Sequence, residues 1–366
     1  MRLKSVLNKK NLRLWMILVI GVAFISLAFI FSIMGSLKTT HKLPSDSRLN
    51  LYQDQLLTFG TWVDIQLLAR SQAEADQVLS RLAQEFNTMN ARWHAWLPSA
   101  LTQLNADLQS GRWFEINADM LSLIERNRQA YEESRGLFNP ALGKLFEFWG
   151  FYKNTPKREA LPSTQELAWL MEAPPQFQHI EIQNQKIRGT HPHLQLDFGG
   201  IAKGFGLNVI AQVLKNANIY NALVNAGGDV RAFGQRGNRP WKVAVQSPFG
   251  RDVLGFIEIK GDESIFTSGT YERNYVVGSH QVHHIFDPRT GFPTQGIASA
   301  TVVTDDSVDA DVAATALIIA GKERWQEIAE NLRVKAALLV TDSGQLLMSE
   351  SMKNRLQLVA KPSNNQ

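Results

Sequence analysis

Cysteine is absent from all 366 residues. That excludes disulfides, thiolate catalysis, cysteine-based zinc or iron–sulfur sites and a lipid-attachment thiol. An exported domain of this size must therefore rest on its hydrophobic core, which the length permits. Acidic residues are missing before Asp46, although Arg2, Lys4, Lys9, Lys10 and Arg13 all fall in that stretch. Charge of either sign is missing from Leu14 to Leu37, an apolar run that would rise about 36 Å as a helix, enough to cross a bilayer. It exceeds the roughly 7 to 15 residues of a signal-peptide core, and no Ala-x-Ala-like site follows Leu37, so an uncleaved anchor is predicted. The positive-inside rule then places residues 1–13 in the cytoplasm and everything after the anchor outside it. Formal net charge is +4, but the first 42 residues contribute +7, leaving −3 for the rest, and no nucleic-acid partner is implied.

What remains reads as a linker over 38–55, one folded domain over 56–352 and a tail over 353–366. Trp62 to Ala69 alternates like a strand, and Gln72 to His94 has apolar residues at helical spacing. A second helix is predicted from Ala118 to Glu133, a loop at Gly136–Gly143, and a Pro- and charge-rich surface insertion over 154–175. A strand ending at Asp197 precedes a Gly-rich turn and a helix over 203–217. Further strands are predicted at 222–225, 242–246, 255–259, 274–286 and 298–304, and a final pair lies within 336–348. Strands and helices mixed without regular βαβ alternation predict an α+β fold. No internal repeat or low-complexity segment interrupts it.

Five segments carry residue types suited to chemistry. Asp311 and Thr315 stand one helical turn apart, so a carboxylate and a hydroxyl point the same way. Such an oxygen pair suits Mg²⁺ shared with a substrate phosphate, and it also reads as a solvated helix cap. Asp197-Phe-Gly-Gly-Ile-Ala-Lys-Gly204 lies between strand and helix, where free amides and Lys203 favour phosphate; a tight turn needing small residues is the alternative. Asn225-Ala-Gly-Gly-Asp229 reads as a turn that also lets a ligand approach the main chain. Thr267-Ser-Gly269 is followed by His283-His284, whose rings face opposite ways on a strand. His284 is a candidate base for a hydroxyl and Asp287 the reserve, although a structural histidine is the commoner outcome.

These segments, with His284-Ile-Phe-Asp-Pro-Arg-Thr-Gly291 and Ala310-Asp-Val-Ala-Ala-Thr-Ala-Leu317, occur in the order and approximate spacing of the ApbE family, which this chain resembles over roughly residues 55 to 350. The resemblance implies an ApbE-like, T-fold-related sheet-and-helix domain behind an N-terminal transmembrane helix, held single-pass in a bacterial inner membrane and facing the periplasm. It implies an FAD:protein FMN transferase, which takes FAD as substrate with Mg²⁺, attaches FMN to a Thr or Ser hydroxyl of a partner protein, and releases AMP. Subunits of NQR- or Rnf-type redox pumps are the implied acceptors. The family's metal positions fall on Gly200, through its carbonyl, and on Asp311 and Thr315. Its flavin positions fall on Asp197, Lys203, Ile285 and the loop Leu137-Phe138-Asn139. Phe59 stands where the family has Met, and an expected aromatic is Trp96 or Trp93. Two other functions remain open from sequence: an FAD pyrophosphatase, with water in place of the acceptor, and a non-enzymatic flavin-holding module.

Overall fold

Two long strands begin the fold, β1 (Asn50–Thr58) and β2 (Thr61–Ala69), joined at Phe59-Gly60 with φ of 50° and 72°. Positive φ at both turn residues matches the twist of the flanking strands and makes a tight hairpin. Helix α1 (Gln72–Trp93) follows, begun by Ser71, whose side chain accepts the Glu74 N–H. Next come α2 (Ala100–Gln109), β3 (Phe114–Glu115), α3 (Ala118–Glu133), α4 (Gly143–Phe148), α5 (Thr164–Met171), β4 (Ile180–Gln183) and β5 (Lys186–Gly189). Helix α6 (Ala202–Asn216) leads to β6 (Ala222–Ala226), β7 (Asp229–Phe233), β8 (Lys242–Gln246), β9 (Val253–Glu258), β10 (Asp262–Gly269), β11 (Asn274–Val277) and β12 (His280–His283). The chain continues through β13 (Ile297–Thr304), α7 (Ser307–Asn331, broken at Gly321), β14 (Ala336–Thr341), β15 (Leu346–Met348), α8 (Glu350–Lys353) and β16 (Leu356–Leu358). This computed structural model describes residues 49–152 and 157–359.

An eight-stranded antiparallel sheet in the order β1-β2-β6-β7-β10-β13-β14-β15 forms the centre. Both of its faces are covered. Val63, Ile65, Val224, Phe266 and Val302 meet α1, α6 and α7 on one face in the main core. Leu68, Leu223, Val230, Ile265 and Val303 meet the three-stranded sheet β16-β9-β8 on the other. A third cluster, with Trp149, Phe151, Leu167, Leu170 and Phe286, lies beneath the β11–β12 hairpin. The predicted α+β class holds, and the helices at 72–93, 118–133 and 202–216 match their periodicity.

Four expectations change, and a fifth falls outside the described residues. The anchor over 14–37 lies outside the described residues, among which no helix is long and apolar enough to cross a membrane. Linker residues 50–55 belong to β1: consecutive Leu51 and Tyr52 are both buried because the sheet is covered on both faces, so no alternation shows. The insertion contains α5, begun by a Ser163–Glu166 capping box, and Leu167 and Leu170 bury its inner face. The tail contributes β16, which pairs with β9, and Arg355 forks onto buried Glu263 at 3.0 and 2.7 Å. The segment before Asp197 is irregular, with a single bridge between Leu142 and Gln195 in place of a strand.

One close approach sets the helix layer. At Gly204 in α6, an added Cβ would stand 2.3 Å from the Ser307 carbonyl oxygen at the start of α7. Alanine is favoured over glycine in a helix by about 1 kcal/mol, but contact with fixed backbone outweighs that gain. Gly204→Ala is expected to lower stability by roughly 1–3 kcal/mol in urea denaturation, whereas Gly250→Ala, facing open space, should stay within about 0.5 kcal/mol. An unchanged or raised midpoint for Gly204→Ala would show that α6 and α7 are not in this contact.

Candidate active site

The turn over 197–204 is held from behind by backbone. Asp197 N–H donates to Pro140 O (2.9 Å), Gly143 N–H to Gln195 O (2.7 Å), and the Asn105 side chain both donates to Leu196 O and accepts its N–H. Asp197 Oδ1 accepts the Gly199 N–H at 2.7 Å, so the carboxylate shapes its own turn. At Gly200 a Cβ would sit 2.9 Å from Phe138 Cε2, which ties the 137–139 loop to the turn and leaves no room for a side chain.

Helix α6 has no side-chain cap of its own at Ile201. Ile201 and Ala202 donate to Phe198 O and Phe205 to Ile201 O, but the Gly204 N–H is given to Asp311 Oδ2 at 2.8 Å. The Gly200 carbonyl, which would take that N–H in a continuous helix, is left without it. Asp311 is brought there by α7, begun by Asp306, whose Oδ1 accepts the Val308 and Asp309 N–H groups. One turn on, the Thr315 hydroxyl meets the Ser268 hydroxyl at 3.1 Å. Lys203 Nζ lies 2.5 Å from Asp229 Oδ2, and Asp229 Oδ1 accepts the Thr267 N–H at 3.1 Å. Three separate motifs thus converge on Lys203.

Burial pushes the Asp311 carboxyl up to about 7; Lys203 opposes the shift and Asp229 adds to it. Crowding by protein likewise pushes Glu272 up to about 7, against Lys203 and reinforced by Asp229 and Asp311. Burial works against the Lys203 charge, but Asp229, Asp311 and Glu272 outweigh it and raise its pKa, so the ammonium persists. Among the described residues no group of three His, Cys, Asp or Glu side chains could hold a metal. The predicted set is of another kind: one carboxylate, one hydroxyl and the Gly200 carbonyl, all oxygen, which suits a hard divalent cation that keeps waters. The unclaimed carbonyl beside a buried carboxylate fits such an ion.

His284 donates its backbone N–H to Arg273 O at 3.2 Å, and its ring Nδ1 meets the same carbonyl at 3.3 Å. A carbonyl only accepts, so Nδ1 carries the proton and Nε2 keeps a lone pair. Burial, with Arg273 adding, pushes this imidazole down to about 3. Asp287, the reserve base, bonds Arg289 through both its oxygens, and its backbone closes the turn through the Thr290 and Gly291 N–H groups. It is a turn anchor. Phe59 stacks on Trp93 (6.3 Å between ring centres) and meets Phe86 edge-on, beside Gly206. Trp96 leans on Tyr152 at 6.0 Å. Leu137 is buried in the core, and the Asn139 amide is spent on Pro175 O and the Ala141 N–H, so neither offers a free side chain to a ligand. The Ile285 N–H faces His283 Nδ1 and its carbonyl takes the Thr294 N–H, so both main-chain groups are engaged. Sequence reading missed Glu272 and the partnership of Asp229 with Lys203. Glu272 follows Thr267-Ser-Gly269 by three residues, and that proximity was the available signal.

The ApbE family model matches residues 59–339. An FAD:protein FMN transferase of Rhodobacter capsulatus is 38% identical over 301 residues, covering 82% of this chain but 57% of that longer protein. One from Vibrio cholerae is 29% identical over 278 residues, covering 75% of this chain and 80% of its own length. Among solved structures, the ApbE protein of Thermotoga maritima superposes with a TM-score of 0.74 at 28% identity, covering 83% of this chain and 99% of that one. The flavin transferase ApbE from Vibrio cholerae superposes with a TM-score of 0.73 at 26% identity, covering 84% and 100%. Matched over most of its length in sequence and in fold, the chain belongs to the ApbE family, whose members here bear the name FAD:protein FMN transferase.

Proposed function

We propose that this protein transfers the FMN part of FAD to a Thr or Ser hydroxyl of an acceptor protein, with Mg²⁺ as the metal. The hydroxyl oxygen attacks the phosphorus on the riboflavin side of the diphosphate and forms a phosphoester. The bond from that phosphorus to the bridging oxygen breaks, AMP leaves, and the hydroxyl proton passes to a base. The observation that carries this reading is the Gly204–Asp311 hydrogen bond, which brings the glycine turn and the Asp311–Thr315 helix to one place. Asp311, Thr315 and the Gly200 carbonyl would hold the metal, which when bound neutralises phosphate oxygens and fixes their orientation. Lys203, kept charged by Asp229, adds a fixed cation at the diphosphate. His284 presents Nε2 as the proton acceptor, and the negative charge of a diphosphate nearby would raise its basicity from the value in the free chain.

The direct test incubates the chain with FAD, Mg²⁺ and candidate acceptors, then looks for fluorescent protein bands after denaturation. Asp311→Asn and Thr315→Val are expected to lower the labelling rate by about 10²-fold or more. Full labelling by Asp311→Asn would discard the metal assignment. Free FMN without labelled protein would make the chain a pyrophosphatase, and no turnover at all would make it a flavin-holding module.

A pH dependence follows from the raised Asp311 carboxyl. A divalent cation must displace its proton below about 7, so affinity for Mg²⁺ should rise about tenfold per pH unit up to neutrality and then level off. Without metal the sign for stability is opposite. The folded chain holds protons on Asp311 and Glu272 that the unfolded chain sheds near pH 4. Stability should therefore fall as pH rises from about 4 to about 7. Cation titrations and melts across this range check both signs, and Asp311→Asn should flatten the first.

The charge-free run over 14–37 supports a location in a bacterial inner membrane with the domain in the periplasm, where subunits of sodium- or proton-linked redox pumps of NQR or Rnf type are the proposed acceptors. Protease added to spheroplasts is expected to digest the domain; protection until lysis would reverse the orientation.

A further inference from the structure

Between β7 and β8 the chain makes a second tight turn at Gly237-Asn238, and it sets two arginines face to face. Arg236 and Arg239 form an isolated antiparallel bridge, with Arg236 N–H donating to Arg239 O at 2.8 Å. Side chains directly opposed across such a bridge lie on the same side, and like charges there repel. Among the described residues neither guanidinium has a carboxylate partner or a hydrogen bond. Several other arginines of the fold are neutralised: Arg126, Arg231 and Arg355 each meet an acid. The turn is also firmly built. Trp241, two residues beyond Arg239, is buried, donates Nε1–H to Phe233 O at 3.1 Å, and accepts the Ile259 N–H at 2.9 Å.

The two arginines line a cavity of about 450 Å³ with Lys242 and a single acid, Glu258. Glu258 stands opposite Lys242 across the β8–β9 pair, and no ion pair joins it to either arginine among the described residues. Gln66 and Leu223 also line the cavity. Leu223 and Trp241 belong to the cluster on the sheet face turned away from α6 and α7, so this cavity is separate from the site around Lys203 and Asp311. Paired guanidinium forks suit the oxygens of a phosphate, and the volume falls within the usual range for small-molecule sites. We infer that the Arg236–Arg239 turn is a binding site for a phosphate-bearing anion, which relieves the repulsion between the two arginines. The chemistry is shared by a free phosphoester and by a phospholipid headgroup.

The inference does not depend on flavin transfer, and FMN labelling of an acceptor should be unchanged when the turn is altered. The full-length chain in detergent is titrated calorimetrically with inorganic pyrophosphate, wild type beside R236Q/R239Q. Because a diphosphate is also a ligand for the Lys203 site, the readout is the difference: the variant should take up one equivalent fewer. R236Q and R239Q singly should weaken that equivalent by about tenfold or more each. Unliganded R236Q/R239Q should melt at or above the wild-type temperature, since facing like charges are removed, and this also verifies folding. Phosphatidylglycerol in the detergent micelle, beside free glycerophosphoglycerol, separates the sources: competition with pyrophosphate by the lipid alone assigns the site to lipid, and competition by the free phosphoester assigns it to a soluble ligand. Equal uptake and affinity in wild type and R236Q/R239Q, or no uptake by either, would overturn the assignment.

Discussion

A glycine in one helix lets a carboxylate in another act as its cap. Gly204 brings the first turn of α6 against the start of α7, and Asp311 takes the amide hydrogen that α6 would otherwise use internally. A helix start leaves amides unsatisfied, and usually a residue just before the helix supplies the acceptor. Here Ile201 supplies none, and the acceptor comes from 107 residues away. The same exchange leaves the Gly200 carbonyl unclaimed beside a buried acid. One hydrogen bond thus links two helices, fixes the orientation of Asp311, and leaves the Gly200 carbonyl without its helical partner.

The charge arrangement follows from that packing. Asp229, Asp311 and Glu272 lie around a single ammonium, and the burial of Asp229 and Asp311 makes their negative charges costly. With one cation among three carboxyls, the free chain balances the excess by holding protons on Asp311 and Glu272 near neutrality. A divalent ion would replace those protons with a larger fixed charge, which is the condition phosphoryl transfer requires. His284 obeys the same burial rule with the opposite sign: it stays neutral, its tautomer set by the Arg273 carbonyl.

Much of the fold was legible where burial is one-sided. Val78, Leu82, Phe86 and Met89 lie at helical spacing because α1 buries a single stripe, and Trp62 to Ala69 alternates because its strand has a tip that leaves the core. Legibility failed where both faces are covered or where local signals are weak. Leu51-Tyr52 shows no period because the sheet is sandwiched. Leu167 and Leu170 are too few to mark α5 among prolines and charges, and Asn105, which fixes Leu196 from both sides, carries no sequence sign of its role. Asp287 looked like a free carboxylate, and only the position of Arg289 shows that it is occupied.

The sequence by itself determined which chemical groups exist and their local spacing: no thiol, a carboxylate and hydroxyl one turn apart, a glycine-bearing turn with a lysine, and a charge-free apolar run. Those properties depend on neighbours in the chain, so they can be read without coordinates. Tertiary structure decided which groups meet, how deeply each is buried, and what each has already bonded. It joined Lys203 to Asp229, gave Asp311 the Gly204 amide, and tied the Asn139 amide to Pro175 O. Pairing and desolvation act through space between residues far apart in the chain, and local pattern carries no record of that distance.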